Sequence, residues 1–320
     1  MLPEQDGKTP FSPTLQGLAW ALAFAVLDAA QAVVFGNWLQ FMDSFQVGFL
    51  VFALTTMASL VWAARFRPDQ LRLALLHWRK LAGLNLAFAL GWALYLLSIQ
   101  LLEPAIAFSL FTGVIPLTTI LAAVLGFADG MAARNSIERT GNLVLLAGLV
   151  FLCWITLGGS SGFVRGALPA AMAGLALAIA AGMAITVMLF FSRRLDADGV
   201  EPATQFATRF GIYLILSFTG WQLGFDAKAH TTSLPMLAMA VAAGIVLMAM
   251  PVYAVQKAVA LVPTLTIAAF AATSPFLVFV FQQIEGRIDY APLTLAGLSI
   301  CFAGSLIALT GTWMAQRRSG

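Results

Sequence analysis

Charge is scarce in this chain. Of its 320 residues only 10% are charged, whereas 61% are hydrophobic. A soluble domain carries about 25% charged residues, so this composition cannot cover the surface of a water-soluble globule. The net charge of +3 is too small and too scattered to form a groove for nucleic acid. The composition therefore argues against a soluble enzyme, a disordered chain and a nucleic-acid binder, and indicates an integral membrane protein.

Cysteine and histidine are also rare, with two of each. Cys153 and Cys301 lie inside long apolar runs, which is typical of small core residues rather than of a disulfide. His77 and His230 lie in separate linkers, and no serine–histidine–aspartate set or metal-ligand spacing accompanies them. The sequence has no glycine-rich phosphate loop. We therefore expect neither an enzyme nor a bound cofactor or metal.

Long apolar runs dominate what is present. A membrane-spanning helix needs about 20 mostly apolar residues, and ten runs approach or exceed this length. The linkers between them are too short for a soluble domain. The predicted fold class is all-α integral membrane, with spans at Thr14–Phe35, Asp43–Ala64, Trp78–Leu102, Pro104–Phe127, Thr140–Leu157, Gly166–Phe191, Ala203–Gly224, Pro235–Val259, Pro263–Ile284 and Tyr290–Met314.

Lysine and arginine are distributed unevenly over the ends of these spans. If the N-terminus is cytoplasmic, fourteen of the seventeen basic residues fall on the cytoplasmic side, and only Arg165, Lys228 and Arg287 fall opposite. Such a bias sets the orientation of membrane proteins. It predicts a multi-pass membrane protein with cytoplasmic N- and C-termini, which requires an even number of spans.

The two halves of the chain resemble each other. Proline pairs 12 residues apart begin the fourth and ninth spans, and glycine pairs 7 residues apart mark the fifth and tenth. The first and sixth spans share small residues at every fourth position, where backbones can approach closely. Five spans per half place the second half in the opposite orientation, as in many transporters. The prediction is two inverted five-helix repeats, residues 1–157 and 158–320, around a central cavity.

This pattern resembles the drug/metabolite transporter superfamily with EamA-type repeats. The second half carries the resemblance best, in Pro263 and Pro275, the run Gln282-Gln283-Ile284-Glu285, and the pair Gly297 and Gly304. The first half has Gly126 or Asp129 where the second has Glu285. The aromatic third span makes the chain most similar to the bacterial aromatic amino-acid exporters. The resemblance implies transport of small metabolites without ATP.

Few polar residues lie deep inside the predicted spans, and such residues usually face a cavity or a partner. Asp28 lies 14 residues into the first span, with Gln31 one turn later. A carboxylate at that depth can hold a substrate ammonium or exchange a proton. The alternative is a structural hydrogen bond or ion pair with a neighbouring helix.

Aromatic and basic residues provide further candidates. In the third span Trp92 and Tyr95 share a helical stripe with Asn85 and Phe88, either lining the cavity or packing in the core. In the eighth span Tyr253 and Lys257 lie one turn apart, and the repeat places Lys257 opposite Ser98. Its ammonium either binds a substrate carboxylate or extends to the membrane surface. Arg209, six residues into the seventh span, is expected to extend to the surface.

Prolines inside the fourth and ninth spans predict kinks at Pro116 and Pro275. The carbonyls that they free must be satisfied within the protein or in a wet cavity. We predict that both are hinges, with Thr112, Thr273 and Ser274 lining the cavity. The alternative is simple helix bending with hydroxyl groups bonded to their own helix.

Together these features predict a secondary transporter that exports amino acids, including aromatic ones, and related small metabolites by alternating access. Its partners would be the small-molecule substrate and the lipid bilayer, with no nucleic acid. The oligomeric state stays open, a monomer included. A multidrug or quaternary-amine exporter of the same fold is the main alternative, followed by a channel and, last, a membrane enzyme.

Overall fold

The computed structural model describes residues 13–130, 132–133, 135–229, 232–262 and 264–319. Within these ranges the chain forms thirteen α-helices and one π-helical segment. Nine helical segments of the described chain are long and apolar enough to cross a membrane. The prediction of an all-α, multi-pass membrane protein is thereby confirmed. Arg134, His230 and Pro263 lie outside the described residues.

The helices follow one another with short connections. In chain order they are α1 (Pro13–Trp38), α2 (Ser44–Phe66), α3 (Pro68–Leu76), α4 (Trp78–Leu101), α5 (Pro104–Val124), α6 (Ser136–Leu157), α7 (Leu168–Ala197), α8 (Pro202–Thr208), α9 (Gly211–Gln222), α10 (Leu234–Gly244), α11 (Met250–Leu261), α12 (Thr264–Glu285) and α13 (Pro292–Ser319). The π-helical segment Ile245–Ala249 joins α10 to α11 without a loop.

Helix starts follow from local chemistry. The Asp43 carboxylate accepts hydrogen bonds from the backbone amides of Phe45 and Gln46, and the Asn135 side chain accepts one from Glu138. Each side chain satisfies amides that have no partner in the first turn of a helix. Many of the other helices have proline in the first turn, where its missing amide proton costs nothing. The length of the apolar runs, the capping side chains and the first-turn prolines together determine where most helices begin.

One predicted span is wrong in form. The run Ala203–Gly224 was expected to be continuous, but it is divided into α8 and α9 by a turn at Arg209 and Phe210. Neither piece alone is long enough to cross a bilayer. The cause lies in another helix, because the side chain of Asn85 bonds to backbone groups on both sides of the turn.

The tightest contact in the fold joins α6 to α13. The two helices run antiparallel, and glycine after glycine meets the opposite backbone along the seam. A methyl group on Gly141 would lie 2.2 Å from the backbone nitrogen of Ala308, and one on Gly304 would lie 2.4 Å from that of Leu145. Gly148, Gly297 and Gly311 are similarly crowded. The two glycine pairs that the halves share therefore lie along one seam, where Gly141 and Gly304 meet directly, since only glycine permits so close an approach.

Other helices pack in the same manner. α4 lies antiparallel to α7, where Gly91 and Gly174 adjoin Ile185 and Leu102. α1 packs against both α11 and α12, and its Ala21, Ala25 and Ala29 are fully buried. The predicted small-residue face of the first span is thus a helix-packing face. Cys153 and Cys301 are free thiols, as expected.

We expect Gly304→Ala to destabilise the protein although alanine is the better helix former. Helix propensity alone would favour the alanine by about 1 kcal/mol. The added methyl must separate α6 from α13, and we expect overpacking to cost roughly 1–3 kcal/mol. Thermal unfolding in detergent micelles measures the difference. The exposed Ala296→Val on the same helix is the control, and an unchanged or higher melting temperature for Gly304→Ala would contradict the close packing.

Candidate functional site

The candidate site residues lie on five helices. In chain order they are Asp28 and Gln31 on α1, Trp92, Tyr95 and Ser98 on α4, Thr112 and Pro116 on α5, Tyr253 and Lys257 on α11, and Thr273, Ser274 and Pro275 on α12. Because α1 packs against α4, α11 and α12, it stands among most of the others. The contacts of each side chain show which candidate residues carry buried polar atoms without a hydrogen-bond partner and which do not.

Four of the predicted residues carry buried polar atoms with no hydrogen-bond partner among the described residues. They are Gln31 Nε2, the Tyr95 hydroxyl, Ser98 Oγ and Ser274 Oγ. We call them the buried polar group. An unsatisfied buried donor or acceptor costs about 1–3 kcal/mol, so proteins rarely keep several without a reason. Three adjoining helices, α1, α4 and α12, supply these atoms.

Asp28 belongs with the buried polar group. Its carboxyl interacts electrostatically with the Tyr95 hydroxyl. Among the described residues it has no ion pair with lysine or arginine. The structural ion pair that was the alternative explanation for this residue is therefore not found in the described chain. A half-buried carboxylate at this depth, with no lysine or arginine in salt-bridge contact, suits an arriving ammonium or a proton.

Aromatic rings continue from this group toward α2 and α9. The Tyr95 ring stacks on Phe111 with 4.4 Å between centroids, and the Trp92 ring lies 6.1 Å from Tyr95. Phe52 of α2 lies 5.4 Å from Trp92 in an edge-on contact. Tyr95 is buried and Trp92 half-buried. The predicted stripe of α4 is thus packed against other rings along its length.

The threonines near the two prolines are satisfied locally. The Thr112 hydroxyl donates to the Phe108 carbonyl at 2.8 Å, and the Thr273 hydroxyl donates to the Phe270 carbonyl at 2.7 Å. Both α5 and α12 stay helical through Pro116 and Pro275. For these threonines the structure favours back-bonding to their own helix over a free cavity-lining hydroxyl.

Tyr253 and Lys257 are brought together but exposed. The Lys257 ammonium lies 5.5 Å from the centre of the Tyr253 ring, which also makes an edge-on contact with Trp20. Both side chains are exposed, whereas the buried polar group is not. Exposure near the end of α11 favours the alternative in which the Lys257 ammonium extends to the membrane surface.

The turn between α8 and α9 is a feature that the sequence did not reveal. Asn85 Nδ2 donates to the Thr208 carbonyl at 2.9 Å, and the Ile212 amide donates to Asn85 Oδ1 at 3.4 Å. One side chain thereby satisfies backbone groups on both sides of the break. Irregular backbone inside a membrane is tolerated only where it is buried in protein or lines a cavity. The one available signal was the polar Asn85 on an otherwise apolar stripe.

Buried polar networks join the helix ends on one side of the bundle, which we call the closed end. Glu103, fully buried, accepts hydrogen bonds from the Gly162 amide at 2.8 Å, the Thr294 hydroxyl at 2.9 Å and the Gln282 amide. Burial raises the pKa of Glu103, and these three hydrogen bonds oppose the shift. One carboxyl thus ties α5, α12, α13 and the α6–α7 connection together.

A second network at the closed end is centred on Asp226. Its carboxylate accepts from the Ser44 hydroxyl at 2.7 Å and from Gln100, and it forms an ion pair with Lys228. The Gln40 side chain donates to the Gln100 carbonyl at 2.9 Å. The ends of α1, α2, α4 and α9 are therefore held against one another.

At the other end, which holds most of the arginines and which we call the basic end, Arg67 pairs with Glu201 and Asp129 with Arg194. An open cavity of about 350 Å³ lies between the last turns of α5 and α7, and several of its apolar lining side chains, Leu125 and Phe127 among them, are exposed. Asp198 pairs with Lys80, whose hydrogen bond lowers the pKa of the Asp198 carboxyl. No cluster of three metal-ligating side chains occurs among the described residues.

Comparisons with known proteins define the fold and nothing finer. No family profile matches the chain, and no curated protein matches its sequence. A solved structure described only as a crystal structure of a protein is similar, with a TM-score of 0.60 and 20% identity. The match covers 96% of this chain and 99% of the other. The whole helical architecture therefore recurs in a distant protein.

Removal of the Glu103 carboxylate should loosen the closed end. In Glu103→Ala three buried donors lose their acceptor, at a cost of about 1–3 kcal/mol each. Glu103→Gln keeps an acceptor oxygen and should lose less. Thermal unfolding in detergent tests this against Glu201→Ala, whose side chain is partly exposed and pairs with Arg67 at 3.5 Å. Equal melting temperatures for Glu103→Ala and Glu201→Ala would show that the network contributes little.

Proposed function

We propose that this chain is a secondary transporter that exports amino acids, including aromatic ones, and related small metabolites. The observation that carries the proposal is Asp28 beside the buried polar group, in the middle of membrane-spanning helices. Intramembrane ionisable residues are expensive and mark substrate or ion pathways. The resemblance to the drug/metabolite transporter superfamily points the same way, and we propose membership in it.

The proposal includes two inverted five-helix repeats, residues 1–157 and 158–320. Helix pairing supports them. In such a repeat α1 corresponds to α7, α4 to α10 with α11, α5 to α12, and α6 to α13. The packing of α4 on α7 is then the counterpart of α11 on α1, and α5 on α7 that of α12 on α1. The glycine seam of α6 and α13 joins two corresponding helices, as a two-fold axis between the halves requires.

Alternating access follows from the same arrangement. Two similar halves in opposite orientations can exchange conformations, closing one side as the other opens. The buried networks of Glu103 and Asp226 suit a closed gate at their end of the bundle. From the positions of the basic residues we propose that the basic end is cytoplasmic, in a bacterial inner membrane with both termini inside. Pro116 and Pro275 are the proposed hinges.

In this scheme most of the candidate residues have a role. Asp28 holds the substrate ammonium, and Gln31, Tyr95, Ser98 and Ser274 offer polar atoms that gain partners on binding. Trp92 contacts an aromatic side chain of the substrate, as would Tyr253 from the exposed face of α11. Of the two positions that the sequence left open for Lys257, at a substrate carboxylate or at the membrane surface, its exposure favours the surface. Thr112 and Thr273 flank the hinges.

A multidrug or quaternary-amine exporter is the second candidate function. A carboxylate next to aromatic rings is also the arrangement that binds organic cations, because the rings attract positive charge. Competition between cationic dyes and amino acids distinguishes the two. A channel would show neither saturation nor counterflow, and an enzyme would convert its substrate rather than move it.

Asp28→Asn and Trp92→Ala should each impair transport of aromatic amino acids. The first removes the charge that holds the ammonium, and we expect at least a tenfold fall in transport, in line with about 1.4 kcal/mol or more. The second removes a stacking surface and should act more on aromatic than on aliphatic substrates. Efflux from loaded cells and uptake into proteoliposomes, with and without a pH gradient, measure both.

Arg72→Gln serves as the control, because this arginine is highly exposed. If both site variants transport every tested solute as the unaltered protein does at equal expression, the site assignment is wrong. A dependence of uptake on the pH gradient that Asp28→Asn abolishes would identify Asp28 as the proton-coupling group.

A further inference from the structure

Arg209 is half-buried and its Nε atom is buried, whereas the sequence predicted that its side chain extends to the surface. It occupies the turn between α8 and α9 that Asn85 holds in place. Its side chain lines an internal cavity together with the rings of Phe52, Phe88, Trp92, Phe206 and Phe210. A cationic group thus stands in an otherwise aromatic wall.

The charge of Arg209 has no direct partner in the described chain. No carboxylate there lies within 4.0 Å of the guanidinium, and its Nε is buried without a hydrogen bond. The guanidinium lies 5.4 Å from the Phe206 ring, and Asp196 acts on it only at longer range. That aspartate already accepts a hydrogen bond from Gln205 at 2.6 Å. A guanidinium stays charged in proteins, so this one is short of an anion.

The cavity is small in this conformation, with a volume of about 10 Å³. That is room for a single water molecule. Met248 and Ala249 of the π-helical segment form part of its wall, and π-helical geometry is frequent at functional sites. Arg209 and Phe210 of the turn form another part. Movement of these two irregular segments would enlarge the cavity without the unfolding of a regular helix.

The cavity is connected to the group around Asp28 through α4. Trp92 lines the cavity, its ring lies 6.1 Å from that of Tyr95, and the Tyr95 hydroxyl interacts with Asp28. Arg209 and Asp28, each without a partner of opposite charge within salt-bridge distance in the described chain, therefore lie at the two ends of the Trp92–Tyr95 pair. The ammonium and the carboxylate of an α-amino acid are attached to the same carbon, so in this conformation such a solute can meet only one of the two groups at a time.

We propose that Arg209 binds the carboxylate of the transported solute, with the solute's apolar body between the rings of Phe88, Trp92 and Phe210. Arg209 then replaces the exposed Lys257 as the carboxylate partner, and the substrate class narrows to aromatic or large apolar carboxylates, amino acids among them. A guanidinium can bind both carboxylate oxygens at once. The inference rests on the proposed transport function for its substrate, but binding itself can be measured separately.

Three probes separate the charges: phenylalanine, 3-phenylpropionate, which lacks the ammonium, and 2-phenylethylamine, which lacks the carboxylate. Binding to the purified full chain in detergent is followed by tryptophan fluorescence and by the rise in melting temperature that a ligand of the folded state produces. The unaltered protein should bind both carboxylates. The variants are Arg209→Gln, Arg209→Lys and Lys257→Gln, with Arg72→Gln as the control.

We expect Arg209→Gln to weaken binding of both carboxylates by at least about 30-fold, since loss of a buried charged partner is costly. Binding of 2-phenylethylamine should not weaken. Arg209→Lys should lose an intermediate amount, because an ammonium cannot form the paired hydrogen bonds. Lys257→Gln should stay within about twofold of the unaltered protein, less than any charged contact contributes. Empty Arg209→Gln should melt no lower than the unaltered protein, because it loses an unpaired buried charge.

Each other result overturns the inference. It fails if the unaltered protein does not bind 3-phenylpropionate, if Arg209→Gln binds it equally well, or if Lys257→Gln alone removes binding. Should Arg209→Gln fail to fold, Arg209→Lys and the melting temperatures of the unaltered protein with each probe decide the question. Uptake into proteoliposomes tests the function independently. Carboxylate binding without saturable uptake would reject the transport function and keep the carboxylate site at Arg209. Saturable uptake of cations only, at a rate that Arg209→Gln leaves unchanged, would keep the transport function and reject the site.

Discussion

A lipid bilayer offers no water to satisfy a backbone amide or a charge, and this constraint governs the whole structure. Most of the chain meets it with regular helices whose backbone groups pair internally. Where the helix is interrupted, a side chain from elsewhere completes the pairing, as Asn85 does for the turn between α8 and α9. Where a carboxylate is buried at a helix end, several donors surround it, as at Glu103. Asp28 and Arg209 are exceptions, because neither has a partner of opposite charge within salt-bridge distance in the described chain, and we propose a function for both.

Close helix packing is the second consequence of the same solvent. Lipid is as apolar as leucine, so helices associate through close contact rather than through exclusion of water. The α6–α13 seam reaches that contact with glycines placed a fixed distance apart on both helices. The two networks at the closed end connect further pairs of helices, such as α5 with α12, through buried hydrogen bonds. Rigid pairs and polar ties together leave the interior around α1 as the region with unmet hydrogen-bonding capacity.

Features carried by a local stretch of sequence were predictable. The sequence predicts a span over Trp78–Leu102, and α4 covers Trp78–Leu101. The two agree because run length and the flanking polar residues are local properties of the sequence. The small-residue faces of α1 and α7 were equally visible in the pattern. The break at Arg209 was not, since its cause is an asparagine more than a hundred residues away in the chain. Likewise the exposure of Lys257, one of the two alternatives that the sequence left open, and the half-buried position of Arg209, which was expected to extend to the surface, depend on neighbouring helices. Asp28 was singled out by its depth and Tyr95 by its place on an aromatic stripe, and their electrostatic interaction depends on the packing of α1 beside α4.

The π-helical segment between α10 and α11 holds one residue more per turn than the α-helix on either side. If that extra residue moved along the helix, every side chain between its old and new positions would turn by about 100° around the helix axis. Such a register shift changes which groups face inward without bending the helix or breaking its ends. Met248 would leave the wall of the aromatic cavity by rotation alone, and the volume it vacates would be gained next to Arg209.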